Sequence, residues 1–256
     1  MESNSQEFSR IDVLVTNWSV FRIAHGQPNA LADQARHDMV LRYAAVIRKY
    51  VYAIVRDETD ADELSQDVIV RMLKGDFAGA DPSRGRFRDF LKTVIRNMAR
   101  NHWDRQNRRR PVNSDIAELD LAEVAPSDWD VVWRNELLGQ VWRALKDEQA
   151  RKPTSLVHTL LELRVGYPED SSEQLAQRLG AQLGGEIRAD AVRQKLRRAR
   201  LRFAELLISE VAHGLQTASA DEVEQELMEL KLYEQVRPLL PEDWKTRLYG
   251  SEERST

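Results

Sequence analysis

The sequence contains no cysteine and little glycine or proline, and these absences narrow the class of protein. Without cysteine, disulfide frameworks and thiolate metal sites are excluded, and a reducing compartment is allowed. Only 11 glycines and 8 prolines occur in 256 residues, of which 42% are hydrophobic and 31% charged. This composition is typical of a folded chain rich in helix formers. Its length allows two small domains, each with its own core.

Long apolar runs and enzyme signatures are also missing. No uncharged stretch approaches the roughly 20 apolar residues that a membrane span needs, and the first residues are polar. The sequence has no phosphate-cradling glycine loop, no zinc-protease histidine pair and no nucleophile elbow. We therefore expect a cytoplasmic protein that is not an enzyme, has no membrane contact, and needs no metal or cofactor.

Positive charge is concentrated in two segments, although the net charge of the chain is -4. The segment from Arg84 to Arg110 contains ten Arg or Lys residues and only two Asp. The segment from Arg188 to Arg202 contains seven Arg or Lys residues and one Asp. The rest of the chain is correspondingly acidic. This uneven distribution of charge is expected when two basic patches bind phosphate groups and the rest of the surface binds another partner. Two solvated helix faces are the alternative.

Apolar residues recur at helical spacing throughout, and no run alternates as a strand would, which predicts an all-α fold. In the first half of the chain, helices are predicted over 40–55, from a cap at Asp57 or Thr59 to Gly75, and from Phe87 to a residue before Pro111. In the second half they are predicted over 131–145, between Pro153 and Gly166, over 173–179 with Gly180 as the stop, over 189–211, and over 221–233. Between Ser114 and Asp130 lie six acids and no cation, which indicates a linker. The predicted domains are therefore 14–110, a linker over 111–130, 131–213, and a tail over 214–256.

The short helix, turn and longer basic helix near 173–211 predict a helix-turn-helix. Leu175, Ala176 and Leu179 would pack against Val192 and Leu196. Long donors between these apolar positions could reach base edges and phosphates in a major groove. These candidates are Arg193, Gln194, Arg197, Arg198 and Arg200. An ordinary amphipathic hairpin would show the same pattern.

Aromatic residues alternate with cations in the first basic segment. Phe87, Phe90 and Trp103 lie among its arginines, and stacking surfaces beside positive charge suit unpaired bases. The same rings also match a buried helical stripe.

Acidic residues crowd the start of the second predicted helix. Asp57, Glu58, Asp60, Asp62, Glu63 and Asp67 exceed what capping requires. A metal site or a protein-facing acidic surface could use them, but the ligand spacing of a calcium loop is missing.

Three segments together resemble region 2 of extracytoplasmic-function sigma factors. They are residues 60–67 (DADELSQD), 87–91 (FRDFL) and 96–101 (RNMARN), in family order and spacing. The resemblance implies that the acidic segment binds the β′ clamp of the bacterial RNA polymerase core. Its candidate core-binding residues are Asp60, Asp62, Glu63, Gln66 and Asp67.

The resemblance also places the first basic segment at the minus-ten promoter element, where DNA is opened and a base is captured at a cost of a few kcal/mol. The candidates there are Arg86, Phe87, Arg88, Asn97, Arg100, Asn101 and Arg105. Phe90 stands where many relatives have Trp. The predicted helix-turn-helix resembles region 4, which lies at the β flap and reads the minus-thirty-five element, although its turn is several residues longer than usual.

The longer turn, the Asn17-Trp18-Ser19 opening and the acidic tail are similar to a divergent planctomycete-type sigma group. The linker would pass through the basic channel of the polymerase. Further partners to consider are an anti-sigma factor, or a Ser/Thr kinase acting on Thr59 or Ser65. Two other hypotheses stay open: a helix-turn-helix regulator that binds duplex DNA without polymerase, and a metal-dependent nuclease using the acidic cluster.

Overall fold

The computed structural model describes residues 17–26, 29–77, 81, 83, 85–109, 126–215 and 219–249. Helices and turns make up these ranges, and no strand occurs in them, which confirms the all-α prediction. The α-helices are α1 (Asn17–Ala24), α2 (Ala30–Val55), α3 (Glu58–Lys74), α4 (Phe87–Arg109), α5 (Pro126–Arg151), α6 (Val157–Gly166), α7 (Ser172–Leu183), α8 (Ala189–His213), α9 (Ala220–Glu229), α10 (Tyr233–Val236) and α11 (Trp244–Tyr249). Short 3-10 turns cover Pro153–Ser155 and Arg237–Leu239. None of the described helices is long and apolar enough to cross a membrane.

The chain divides into two compact units, and the division falls inside α5, after Glu136. The first unit contains α1 to α4 and the start of α5, with residues 212–223. The second contains the remainder of α5, α6, α7, most of α8, and residues from Glu224 onward.

Side-chain caps define the helices of the first unit. Asn29 accepts a hydrogen bond from the N–H of Ala32 at 2.8 Å, so α2 begins ten residues before its predicted start. Asp57 accepts from the N–H of Asp60 at 2.9 Å and caps α3, as predicted. Gly75 ends α3 in the left-handed conformation, at φ 83°. Both predicted ends of α3 are confirmed.

Aromatic rings form the core where α1, α2 and α4 meet. Trp18 is 2% exposed, and its ring lies edge-on to Phe87 with centroids 5.4 Å apart. Its indole N–H donates to the carbonyl of Gly85 at 3.1 Å, which fixes the backbone just before α4. Phe87 in turn lies 5.0 Å from the ring of Tyr43. The start of α4 is thus held from two sides.

Helix α5 begins at Pro126, inside the segment that the sequence predicts as linker. Trp129 is fully buried against Tyr50, with ring centroids 4.6 Å apart, and Trp133 stacks on Tyr43 at 5.7 Å. The acids of 114–130 predict a linker, but these two tryptophans bring the end of that segment into the first unit. Residues 110–125, including Pro111 and most of the predicted linker, lie outside the described residues.

In the second unit, α7 begins as predicted and ends later. Ser171 and Gln174 form a reciprocal capping box at its start. The predicted stop at Gly180 is wrong, because α7 continues to Leu183 and Gly184 is its left-handed C-cap. Gly180 is needed for another reason: a Cβ there would stand 2.6 Å from the carbonyl oxygen of Gly185, so the turn after α7 packs onto the α7 backbone. The extra residues of the long turn are partly absorbed by this additional helical turn.

The residues after α8 fold into short helices in place of the single predicted helix over 221–233. Helix α9 ends at Glu229, and Lys231 adopts a left-handed conformation at φ 56°. In the second unit, Lys245 donates to Glu224 at 2.5 Å, and Trp244 is 2% exposed. A hydrogen bond to Glu224 raises the pKa of Tyr233. The tail is therefore a packed structure with its own apolar and polar contacts.

Candidate polymerase and nucleic-acid interfaces

Helix α3 presents an acidic face to solvent. The face opposite it packs inward through Ala61, Leu64 and Val68. Four of the five predicted core-binding residues lie on the open side, which we call the α3 acidic face: Asp62, Glu63, Gln66 and Asp67. Asp60 differs, because its carboxylate is only 28% exposed and stands 3.6 Å from Nε2 of His102 on α4. The geometry thus brings four candidates together and turns the fifth toward the neighbouring helix.

The members of the α3 acidic face differ in their internal contacts. Asp62 accepts a hydrogen bond from Arg48 at 2.7 Å, and this contact raises the pKa of Arg48. Glu63 and Asp67 have no ion-pair partner in the described part of the chain. Their charges are therefore not neutralised by the described residues and can act on a partner.

Exposed apolar side chains adjoin the acidic face, which the sequence did not predict. Val70 and Leu73 read as core positions of α3, yet they are 42% and 43% exposed. On α2, Leu41 is 68% exposed. Because α2 and α3 are joined by a two-residue connection and Arg48 pairs with Asp62, Leu41 lies level with the C-terminal half of α3. Apolar exposure beside unpaired charge is typical of a protein-binding surface.

Helix α4 has a polar stripe on the side away from its core. Leu91, Ile95 and Ala99 are buried beneath it. Four of the predicted minus-ten residues are exposed and share this side, which we call the α4 polar stripe: Asn97, Arg100, Asn101 and Arg105. Two amides and two guanidinium groups supply donors and acceptors suited to bases and phosphates.

The first turn of α4 does not join this stripe. Phe87 is 0% exposed and Arg88 only 5%, so neither side chain reaches solvent. Arg88 lies 3.4 Å from Asp130 at the start of α5, where its charge has a partner. Arg86 is 31% exposed and bonds to Asp89 at 3.1 Å. Phe87 and Arg88 therefore pack within the first unit, and their contact with DNA stays a prediction.

Helix α8 exposes all five of its predicted DNA-binding residues. Its buried side contains Val192, Leu196 and Ala199, and the opposite side is the α8 basic face: Arg193, Gln194, Arg197, Arg198 and Arg200. Within the described ranges, no ion pair engages the last three arginines. Arg193 does form ion pairs, with Asp190 and Glu173.

Arg202, which follows the basic face, has a structural role. It bonds to Glu148 at 2.7 Å and to Glu205 at 3.0 Å. Burial lowers the pKa of Arg202, but the hydrogen bonds to both carboxylates outweigh it, and the pKa is raised overall. Helical period does not separate Arg202 from Arg200, so sequence alone gives no signal for this role.

The acidic cluster and the predicted modification sites also have defined surroundings. Among the described residues, no three His, Asp or Glu side chains are grouped as ligands for a metal ion. Ser65 is buried and donates to the carbonyl of Ala61 at 2.5 Å, so a kinase cannot reach it in the folded domain. Thr59 is exposed in the first turn of α3.

The fold and these surfaces define an all-helical protein with separate acidic and basic faces, as expected of a protein that binds both a partner protein and nucleic acid. Residues 39–109 match the family model of Sigma-70 region 2, which covers α3, α4 and most of α2. This part of the chain is therefore similar to sigma-70 region 2, and the match supports a sigma factor role in promoter recognition and transcription initiation. Searches of curated proteins and of solved structures gave no match.

Proposed function

We propose that the protein is an alternative sigma factor of the extracytoplasmic-function type, in a divergent planctomycete-like group. It binds the bacterial RNA polymerase core through α3, opens the minus-ten element with α4, and reads the minus-thirty-five element with α8. The observation that carries the proposal is the placement of two faces within the sigma-70 region 2 domain. The α3 acidic face and the α4 polar stripe lie on different helices, and both are open to solvent.

The α3 acidic face supports the polymerase contact. Glu63 and Asp67 are exposed and carry charges that no described residue neutralises. Complementary charge steers association and fixes the docking register. Val70 and Leu73 add apolar area that would be buried on docking. A clamp surface of basic and apolar character fits this combination.

The α4 polar stripe supports contact with opened DNA. Arg100 can pair with phosphate while Asn97 and Asn101 present amides to the edges of unpaired bases. Capturing a base costs a few kcal/mol of stacking, which several such contacts offset. His102 on this helix touches Asp60 of α3, so the two functional helices share a contact.

Arg197, Arg198 and Arg200 support duplex binding by α8. They project from the side of the helix opposite its core, and the preceding turn leaves the start of α8 exposed. A recognition helix of a helix-turn-helix has this form, with its first residues at base edges and others at phosphates. The predicted domain limits and the polymerase-channel role of the linker belong to this proposal.

Charge reversal on α3 tests the polymerase contact. Glu63→Lys with Asp67→Lys breaks no ion pair within the described residues, so folding should be retained. We expect binding of the fluorescently labelled full chain to core polymerase to weaken at least tenfold. The matched control, Asp147→Lys with Glu169→Lys, makes the same change in net charge at exposed sites in the second unit and should leave binding nearly unchanged.

The outcome separates the sigma factor from a regulator that reads duplex DNA without polymerase. Equal binding by both double variants would remove the role of the α3 acidic face. Complete absence of binding by the unaltered chain would contradict the sigma factor proposal itself.

A further inference from the structure

Arg193 is held between two carboxylates at the exposed start of α8. Its Nη1 donates to Oδ1 of Asp190 at 2.6 Å, and its Nη2 lies 3.6 Å from Oε1 of Glu173 on α7. The side chain of Arg193 is nevertheless 59% exposed. Arg193 is therefore a surface guanidinium that two carboxylates hold in one orientation.

Both carboxylates that hold Arg193 lie at helix starts. Asp190 lies in the first turn of α8, where a carboxylate is favoured by the helix dipole. Glu173 lies in the first turn of α7, beside the Ser171–Gln174 capping box. Hydrogen bonds from its own backbone N–H and from Ser171 lower the pKa of Glu173, so it stays charged at neutral pH. Both acids are thus favoured as charged partners for Arg193.

This arrangement distinguishes Arg193 from the other cations of the α8 basic face. At 100° per residue, Asp190, Arg193, Gln194 and Arg197 share the side of α8 opposite Val192 and Leu196. In that row, Arg193 is the cation nearest the start of the helix, which is where recognition helices approach base edges. Arg197 has no acidic partner in the described ranges, so its charge is available to bind a phosphate group of the DNA.

We propose that Asp190 is a positioning residue that fixes the guanidinium of Arg193 to read a guanine in the upstream promoter duplex. The inference rests on the proposed role of α8 in DNA binding and adds the base that it selects. Guanine presents two acceptors, O6 and N7, in the major groove, and the planar fork of Arg matches them with two N–H groups. After the bond to Asp190, Arg193 still has several N–H groups to offer.

Ordering the side chain in advance is what makes the acid useful. A free arginine loses rotamer entropy when it binds, and a preset fork loses less. The Asp also limits the orientations of the fork, so a base with a single acceptor, or with a donor in place of O6, satisfies it less well. The pair contributes selectivity at the expense of some attraction to phosphate.

The test selects sequences from a pool of duplexes with a randomised upstream segment, bound by the full chain with core polymerase. The unaltered protein should enrich guanine at one position, by roughly 5- to 150-fold over other bases. Asp190→Ala should reduce that preference at least threefold while other positions keep theirs. Arg193→Ala should remove it, and the double variant should lose no more than Arg193→Ala alone.

Glu186→Ala is the matched control. Glu186 is an exposed acid in the connection just before α8, and within the described residues it has no ion-pair partner. Its removal changes the net charge as Asp190→Ala does, and should raise affinity for all duplexes alike while keeping the guanine preference. If Asp190→Ala behaves in the same way, the acid only offsets charge, and the proposal is overturned.

DNA reading by α8 and the positioning role of Asp190 can be contradicted separately. A chain that enriches no sequence in the upstream segment contradicts DNA reading by α8, and the positioning role falls with it. Enrichment of a sequence that Asp190→Ala leaves unaltered contradicts the positioning role alone.

Discussion

Truncation of Trp129 to alanine should destabilise the first unit, including residues 39–109, although Trp129 lies well outside that segment. Trp129 is fully buried, and its ring packs on Tyr50 of α2 and against Trp133. The start of α5 is thus expected to act as part of the first unit.

The size of the effect follows from the buried ring. An indole of this kind removes roughly 150–250 Å² from water, or about 4–6 kcal/mol at about 25 cal/mol per Å². The indole N–H of Trp129 has no hydrogen-bond partner among the described residues, and removing it recovers about 1–3 kcal/mol of desolvation. We therefore expect Trp129→Ala to cost about 3 kcal/mol, and Trp129→Phe about 1 kcal/mol or less.

Hydrogen exchange of the full chain, followed by mass spectrometry, measures this locally. The slowest amides of α2 and α4 should exchange about 100-fold faster in Trp129→Ala, because a loss of 3 kcal/mol raises the open population by about that factor. Trp142→Ala is a matched control in the second unit, where Trp142 contacts His158 and Phe203. It should leave α2 and α4 protected. Unchanged exchange of α2 and α4 in Trp129→Ala would refute the assignment of the start of α5 to the first unit.

Other substitutions test single contacts. Gly180→Ala should destabilise the second unit by about 1–3 kcal/mol despite the better helix propensity of Ala, because its Cβ meets the carbonyl of Gly185, and urea unfolding of the full chain would show this. Asp57→Ala should cost about 1 kcal/mol by removing the α3 cap, seen as a lower unfolding midpoint; no change would contradict the capping role. Tyr233 has a folded pKa above its unfolded value, so its bond to Glu224 stabilises the chain below about pH 10 and is lost as pH rises through the folded pKa. The stability difference between the unaltered chain and Tyr233→Phe should therefore shrink as the pH rises above about 10, and a constant difference would contradict it.

The sequence predicted helices well where local signals act alone. Asp57 and Gly75 bound α3, and Ser171 begins α7, because capping depends on a few adjacent groups. The prediction of a helix end at Gly180 was wrong. Glycine is required there because the backbone of Gly185 approaches closely, not because the helix ends. Composition also misled at the start of α5, since the burial of Trp129 depends on a helix far away in sequence.

The candidate site could be predicted as a set of surfaces more readily than residue by residue. The distribution of charge and the helical period together predict an acidic face on α3 and a basic face on α8. They also predict that Arg197 is exposed. Whether Arg88 faces DNA or Asp130 depends on tertiary packing that no spacing reveals. The same holds for Asp60, whose neighbour His102 is supplied by another helix.

The central claim is that one chain joins polymerase to promoters, and transcription in a reconstituted system tests it most directly. Bacterial core polymerase with the full chain, given a library of genomic fragments, should produce transcripts that begin at defined sites, and these should disappear with Glu63→Lys and Asp67→Lys. Transcripts identical to those of core polymerase alone would contradict the account.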